Sequence, residues 1–319
     1  MKKTFTNYLL LLLPLVSFAQ KIDNTAAIRD MKSDNYFRFH YDNDYFTATD
    51  IYYTQGYVFE LASHSLRKNP INHTFLKLKN NEAIYGLALE HIAYAPTTIK
   101  SDSILYGDRP FAAAIILKSF LVSTDTIHKT RLSSGLNIGI IGPGAFGKEM
   151  QTSIHEWTDN PIPHGWQHQI KNDLVLNYEI AHEKQLFRLQ NLFYLNSNAK
   201  LRLGTMNTNI SGGFTATFGK VNSPFTSMKN PNGFQFYAYF NPMVSAIGYD
   251  ATLQGGIFNR KSPYTIANSD VQRLTLQQNY GIVLQFKRLY FEYARSELTK
   301  EFRTGDYHKW GGFRIGFEL

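Results

Sequence analysis

The sequence predicts an all-β fold, a twelve-stranded antiparallel transmembrane β-barrel with a short helix in an extracellular loop. Three observations carry this. Period-two alternation runs through the chain, with little sign of the helical period. The apolar face of the alternating stretches is heavily aromatic, while the opposite face is rich in Gln, Asn, Arg and Glu. A barrel with lipid outside and a polar interior requires that division. The composition agrees: of 319 residues, 15% are aromatic and only 18% charged. So much apolar surface excludes disorder. The absence of cysteine excludes a disulfide scaffold and Cys-based zinc or redox chemistry.

Taken in order, residues 1–19 read as a secretory signal. Lys2 and Lys3 precede an apolar run, Leu9 to Val16, and Ser17-Phe18-Ala19 supplies small residues before Gln20. The mature chain then begins near Gln20 and reads as one barrel over residues 20–319. Losing the two lysines takes the net charge from +8 to +6. A basic exported protein meets anionic surfaces such as lipopolysaccharide, phospholipid headgroups or nucleic acid. No later stretch offers the roughly 18 uninterrupted apolar residues of a transmembrane helix.

Strands are expected near 34–43, 52–63, 82–93, 109–122, 130–141, 172–182, 189–203, 208–220, 233–247, 270–286, 288–302 and 308–319. In the first, Phe37, Phe39 and Tyr41 alternate with Arg38, His40 and Asp42. The last alternates up to Leu319, where many outer-membrane barrels carry Phe. Tight turns are expected at Glu183-Lys184 and near Lys287-Arg288, on the periplasmic side. The longer connections 63–82, 94–108, 142–171 and 250–270 are expected to face outward.

The 142–171 stretch holds most of the chemistry. Gly142, Gly144 and Gly147 match G-x-G-x-x-G, but a dinucleotide site needs a βαβ unit, and nothing here is α/β. Lys148 to Trp157 is the best helical segment, placing Gln151, His155 and Thr158 on one face. Such a helix can hold an imidazole toward the barrel rim; otherwise His155 is a surface histidine without a role. Neither His155-Glu156 nor His182-Glu183 completes H-E-x-x-H. G-x-S-x-G is absent too, so a hydrolase here would use activated water.

A second cluster is Asp42-Asn43-Asp44 leading to Thr49-Asp50 and Thr54. Its oxygen donors suit calcium, or simply a solvated hairpin turn. In Gly107-Asp108-Arg109, Arg109 either binds a phosphate or pairs with Asp108.

Asn43-Asp44, Tyr53-Thr54-x-Gly56, Gly107-Asp108-Arg109, Ile138-Gly-x-Ile-Gly142-Pro143, Gln151-x-x-x-His155, Trp166-Gln-x-Gln169 and Glu301-Phe-Arg-Thr-Gly-Asp306 together resemble the outer-membrane lipid A 3′-O-deacylases. They occur in that family's order across nearly the whole mature chain. The resemblance implies a twelve-stranded barrel in the bacterial outer membrane. Its active site would lie outside, between the wall and a loop helix. The implied reaction is calcium-dependent hydrolysis of the 3′-linked acyloxyacyl ester of lipid A. By the same resemblance His155 is the base that deprotonates water, and Asn43, Asp44 and Thr54 complete the catalytic set. Asp44 contacts calcium, while Lys100, Arg109 and Gln151 meet the substrate. Lipid A, not nucleic acid, is then the partner, and a monomer is expected. The alternatives are a non-enzymatic porin or structural barrel, and an outer-membrane esterase acting on phospholipid.

Overall fold

The computed structural model describes residues 23–47, 51–79, 81–228 and 233–319. The secretory signal, together with Gln20, Thr49 and Asp50, lies outside the described residues. Twelve antiparallel strands form one closed barrel in up-and-down order. They are β1 Tyr36–Asn43, β2 Tyr53–Ala62, β3 Glu82–Tyr94, β4 Ala112–Asp125, β5 Thr130–Ile141, β6 Asp173–Leu189, β7 Phe193–Gly204, β8 Asn207–Lys220, β9 Gln235–Asp250, β10 Leu274–Phe286, β11 Leu289–Leu298 and β12 His308–Glu318. The expected twelve are all present, and β1 closes on β12 with Tyr36 opposite Glu318.

The alternation does what it predicts. Phe59, Leu117, Ile138, Ile282 and Phe291 point outward and are exposed, whereas Arg38, Glu60, Gln277, Glu292 and Arg314 point inward and are buried. Lipid-facing apolar rows of this kind replace water contact with acyl-chain contact, and the inward polar rows bond to one another.

Two expected connections differ. Glu183-Lys184 is not a turn, because β6 continues to Leu189. Glu183 faces the lumen, where its carboxylate accepts from Ala27 N and Asn198 Nδ2, both at 2.7 Å. The turn comes at 190–192, with Gln190 in the left-handed region. The expected turn at Lys287-Arg288 is present, and Lys287 has the positive φ that a two-residue hairpin needs. Segment 63–81 does not face outward. Since β1 runs away from the chain ends and β2 runs back, Ala62 lies opposite Tyr36, and 63–81 joins the termini at the end bearing the short turns. The connections 95–111, 142–172 and 251–273 gather at the opposite end, the extracellular one by the usual division of short and long loops.

Residues 23–33, to which sequence periodicity assigns no element, fold back into the lumen as a plug. Arg29 Nη2 donates to Glu292 and to Tyr239 OH, both at 2.8 Å. Asp30 pairs with Arg131 at 3.4 Å and Lys200 with Asp23 at 2.8 Å. Lys32 Nζ donates to the carbonyls of Pro224 and Thr226 at 3.0 and 2.6 Å. The plug therefore ties several walls together through charge-assisted bonds. At the other mouth Tyr52, Leu253, Ile266, Val271 and Phe302 form an apolar lid drawn from three loops. Between plug and lid lies a small cavity of about 60 Å³, whose lining includes the charged and polar side chains His40, Asp42, Glu90, Lys118 and Arg202. The wide lumen that a porin needs is occupied. Planar-bilayer recordings are expected to show no steady conductance, and porin-like steps would show that the plug is not seated.

Candidate functional site on the outer wall

The site is built on the outer face of β1–β4. Antiparallel register aligns Tyr41, Tyr57, His91 and Ile115 in one outward row, and Asn43, Gln55, Ala93 and Ala113 in the row above. Ala93 and Ala113 are small and fully buried because a loop element lies over them. That element is helix α1, Gly147–Trp157, in place of the expected 148–157. Gly147 is required by the close approach. A Cβ there would stand 2.4 Å from Ala113 Cβ and 2.7 Å from the Trp166 ring. Trp166 is 1% exposed and packs on Phe111 with ring centroids 4.8 Å apart. Its Nε1–H donates to Gln151 Oε1 at 2.7 Å. His91 supports the same loop from below. Its ring stacks on Tyr57, and Nε2–H donates to the Ala145 carbonyl at 2.9 Å. Nothing in the sequence pattern singles out His91, since an outward strand histidine reads as an ordinary exposed residue.

His155 sits two turns beyond Gly147 and is half-buried. Its Nδ1 lies 2.7 Å from the Pro161 carbonyl. A carbonyl only accepts, so Nδ1 carries the proton and the neutral ring keeps Nε2 as its basic nitrogen. The chain after α1 turns back to make this bond, with Asp159 in the left-handed region. It then meets the 95–111 loop, where His164 N donates to the Ile99 carbonyl at 2.6 Å. The exposed Lys100 follows Ile99 directly, so the structure brings the loops of His155 and Lys100 together.

Asn43 and Thr54 are also joined. Asn43 Nδ2 donates to the Thr54 carbonyl at 2.8 Å, and its Oδ1 accepts from Tyr45 N at 2.8 Å. Thr54 occupies the irregularity between Tyr53 and Gln55 where β2 shifts register against β3. A bulge of this kind re-aims a residue at the end of a strand. Asp44, buried, opens a 3-10 turn to Thr47. Thr47 Oγ1 secures that turn to the carbonyls of Asp44 and Lys309 at 2.8 and 2.9 Å. Among the described residues no three His, Asp or Glu side chains gather as a metal cluster. The donors at this corner are carboxylate, amide and carbonyl oxygens, a set whose chemistry fits a hard cation such as calcium, with water completing the shell.

Arg109 lies inside the mouth and is 1% exposed. It pairs with Glu301 rather than Asp108, donates to Thr252 Oγ1 at 2.7 Å and lies over the Tyr94 ring at 4.1 Å. Burial raises the Glu301 carboxyl above the usual carboxylate value despite Arg109. At Arg109 burial works the other way, but Glu301 outweighs it and raises the guanidinium further. Thr304 Oγ1 donates to the Gly107 carbonyl, and Asp306 N donates to Tyr52 OH at 3.1 Å. Burial pushes that Tyr52 hydroxyl up to about 12. The two sequence motifs Gly107-Asp108-Arg109 and Glu301 to Asp306 thus clasp each other and hold three loops over the mouth.

If docking of α1 positions His155, Gly147→Leu should leave a folded barrel and cut hydrolysis by roughly a hundredfold, the scale on which small misplacements act. Gel mobility with and without heating and a lipid hydrolysis assay check both halves.

The fold has a known counterpart. A solved structure, LpxR from Salmonella typhimurium, superposes with a TM-score of 0.74 at 18% identity, covering 89% of this chain and 100% of that one. The β-domain of the Bordetella autotransporter BrkA and the NanC porin reach only 0.44 and 0.39, each at 8% identity, covering 89% of this chain and 99% and 100% of theirs. No curated protein sequence matches the chain. The family model described as outer membrane protein LpxR matches residues 5–319, and the chain belongs to that family of outer membrane proteins.

Proposed function

We propose that the protein is a lipid A deacylase that hydrolyses the 3′-linked acyloxyacyl ester, with His155 activating the attacking water. The observation that carries this reading is the placement of His155. It stands on a helix docked against the lipid-facing wall, with Nδ1 engaged by Pro161 and Nε2 left as the base. A site on the outer wall meets a membrane lipid sideways, whereas the lumen is closed by plug and lid. Tyr45, Phe146 and Trp157, at the wall and on the helix, are strongly exposed, as aromatic residues at a membrane interface are. Exposed Lys100 and Lys148 supply positive charge for the phosphates of lipid A.

In this reading Nε2 takes a proton from water as the water attacks the ester carbonyl, and returns it to the leaving alkoxide. Asn43 holds the Thr54 carbonyl and the Asp44 turn in place. Asp44 and the neighbouring carbonyl and amide oxygens would hold calcium. When bound, the cation would supply positive charge where the oxyanion develops. Arg109, committed to Glu301, acts on substrate only through the loops it clasps.

Mass spectrometry of lipid A from cells making the protein tests the proposal. The expected result is loss of the 3′-linked acyloxyacyl group, abolished in isolated membranes by EDTA and restored by calcium. Unchanged lipid A with calcium present overturns it. Release of fatty acid from phospholipid instead would move the substrate to the phospholipid-esterase reading.

A further inference from the structure

Segment 63–79 carries a second surface, independent of the deacylase reading. It leaves β2 at the end that holds the chain termini and lies against the outer wall as a strap across β3–β6. Two 3-10 turns, His64–Lys68 and Pro70–Thr74, give it a fixed shape, capped by Ser63 and Asn69. The wall beneath is unusual for a lipid-facing surface. Ser119, Leu121 and Ser123 of β4 share the outward face of Leu117, and Ser134 of β5 lies opposite Leu121. Bare hydroxyls facing acyl chains would lack partners, and here the strap supplies them. Ser123 Oγ accepts from Leu78 N at 3.1 Å, Ser134 Oγ donates to the Leu76 carbonyl at 2.9 Å, and Tyr178 OH donates to the Thr74 carbonyl at 2.7 Å. Phe75 is buried against Tyr178.

The face turned away from the wall is cationic. Arg67, Lys68, Lys77 and Lys79 are all exposed, and residues 63–81 contain no Asp or Glu. The acid beside the strap, Asp34, lies 3.3 Å from His64, and Glu82 is held by Ser227 and Met228 N. The strap also exposes Leu76, and further along the same outward faces of β4 and β5 stand the paired, exposed Leu117 and Ile138. A row of cations edged by apolar side chains on the wall of a barrel matches a phosphate attached to acyl chains.

We propose that this strap binds the headgroup of an anionic phospholipid of the periplasmic leaflet. The four cations engage the phosphate, and the acyl chains lie against Leu76, Leu117 and Ile138. The end of the barrel selects the source: the strap is on the side of the termini, opposite the long loops of the candidate site, and so faces away from the leaflet that presents lipid A to that site. Each basic residue near a membrane surface adds to the attraction for anionic lipid.

The test uses the whole protein, refolded into vesicles of phosphatidylethanolamine with a minor fraction of phosphatidylglycerol, and extracted in mild detergent. Native mass spectrometry then reads the retained lipid. Wild type is expected to retain phosphatidylglycerol far above its share of the vesicle. Changing Arg67, Lys68, Lys77 and Lys79 together to Gln should lower that preference by more than about tenfold, with gel mobility confirming a closed barrel. A variant with Arg67→Lys, which keeps the charge, should retain it. No preference in wild type, or an unchanged preference in the quadruple variant, overturns the proposal. A parallel arm with lipid A in the vesicle would also overturn it if lipid A, not phosphatidylglycerol, is the lipid lost on substitution.

Discussion

His155→Ala is expected to abolish lipid A deacylation while leaving the barrel folded. A positioned general base contributes roughly a hundredfold to ten-thousandfold, enough to take the product below detection in cells. The stability of the variant should be unchanged, because His155 is half-buried in a loop and its bond to the Pro161 carbonyl fixes only the turn after α1. Asp44→Ala should lose activity to a similar degree for a different reason, and the two are separable. Raising calcium should partly rescue Asp44→Asn but leave His155→Ala inactive. Mass spectrometry of lipid A at two calcium concentrations reads both. A fully active His155→Ala would remove the histidine mechanism.

Glu292→Ala is expected to be the most destabilising single substitution in the lumen. Its carboxylate lies between Arg29 at 2.8 Å and Arg314 at 3.1 Å and also accepts from Tyr239 and Tyr290. Removing it leaves two guanidinium groups facing each other in a buried site, a change that costs about 3–5 kcal/mol in comparable cases. Glu292→Gln should cost less, since an amide still accepts one of these bonds. The measurement is urea unfolding of the refolded barrel, followed by tryptophan fluorescence. The plug should loosen first, so proteolysis near Arg29 should precede loss of the barrel. Equal stability of Glu292→Ala and wild type would show that the plug contributes little.

How much of this was legible in the sequence depends on the range over which each contact is made. Phe37, Phe39 and Tyr41 announce a strand because alternation is a local property, and lipid outside makes it sharper than in a soluble sheet. The helix carrying His155 was visible for the same reason. Asn43 and Thr54, eleven positions apart across a hairpin, were within reach of motif reading, although their actual link, an amide to a backbone carbonyl, leaves no trace in residue type. The plug was not legible. Ala27 and Arg29 find their partners 156 and 263 residues away, and no periodicity marks a segment whose neighbours come from several strands. For Arg109 the sequence offers a phosphate or the adjacent Asp108, but its partner, Glu301, lies 192 positions on. Segment 63–81 was placed at the wrong end because length alone was taken as the mark of an extracellular loop. Strand parity is the better guide: β1 leads away from the termini and β2 returns, so the connection after β2 lies at their end.

The pairing of β1 with β12 has a consequence for the order of assembly. The seam joins the first strand to the last, and the plug rests on Glu292 of β11. Neither can form until the C-terminal strands have been made and delivered. Contacts of such long separation make for slow folding, with unpaired edges exposed meanwhile. A chain shortened by its final strand would therefore not become a smaller barrel. It would remain an open sheet with one sticky edge at β1 and another at β11, a substrate for proteolysis or for pairing with its own copies.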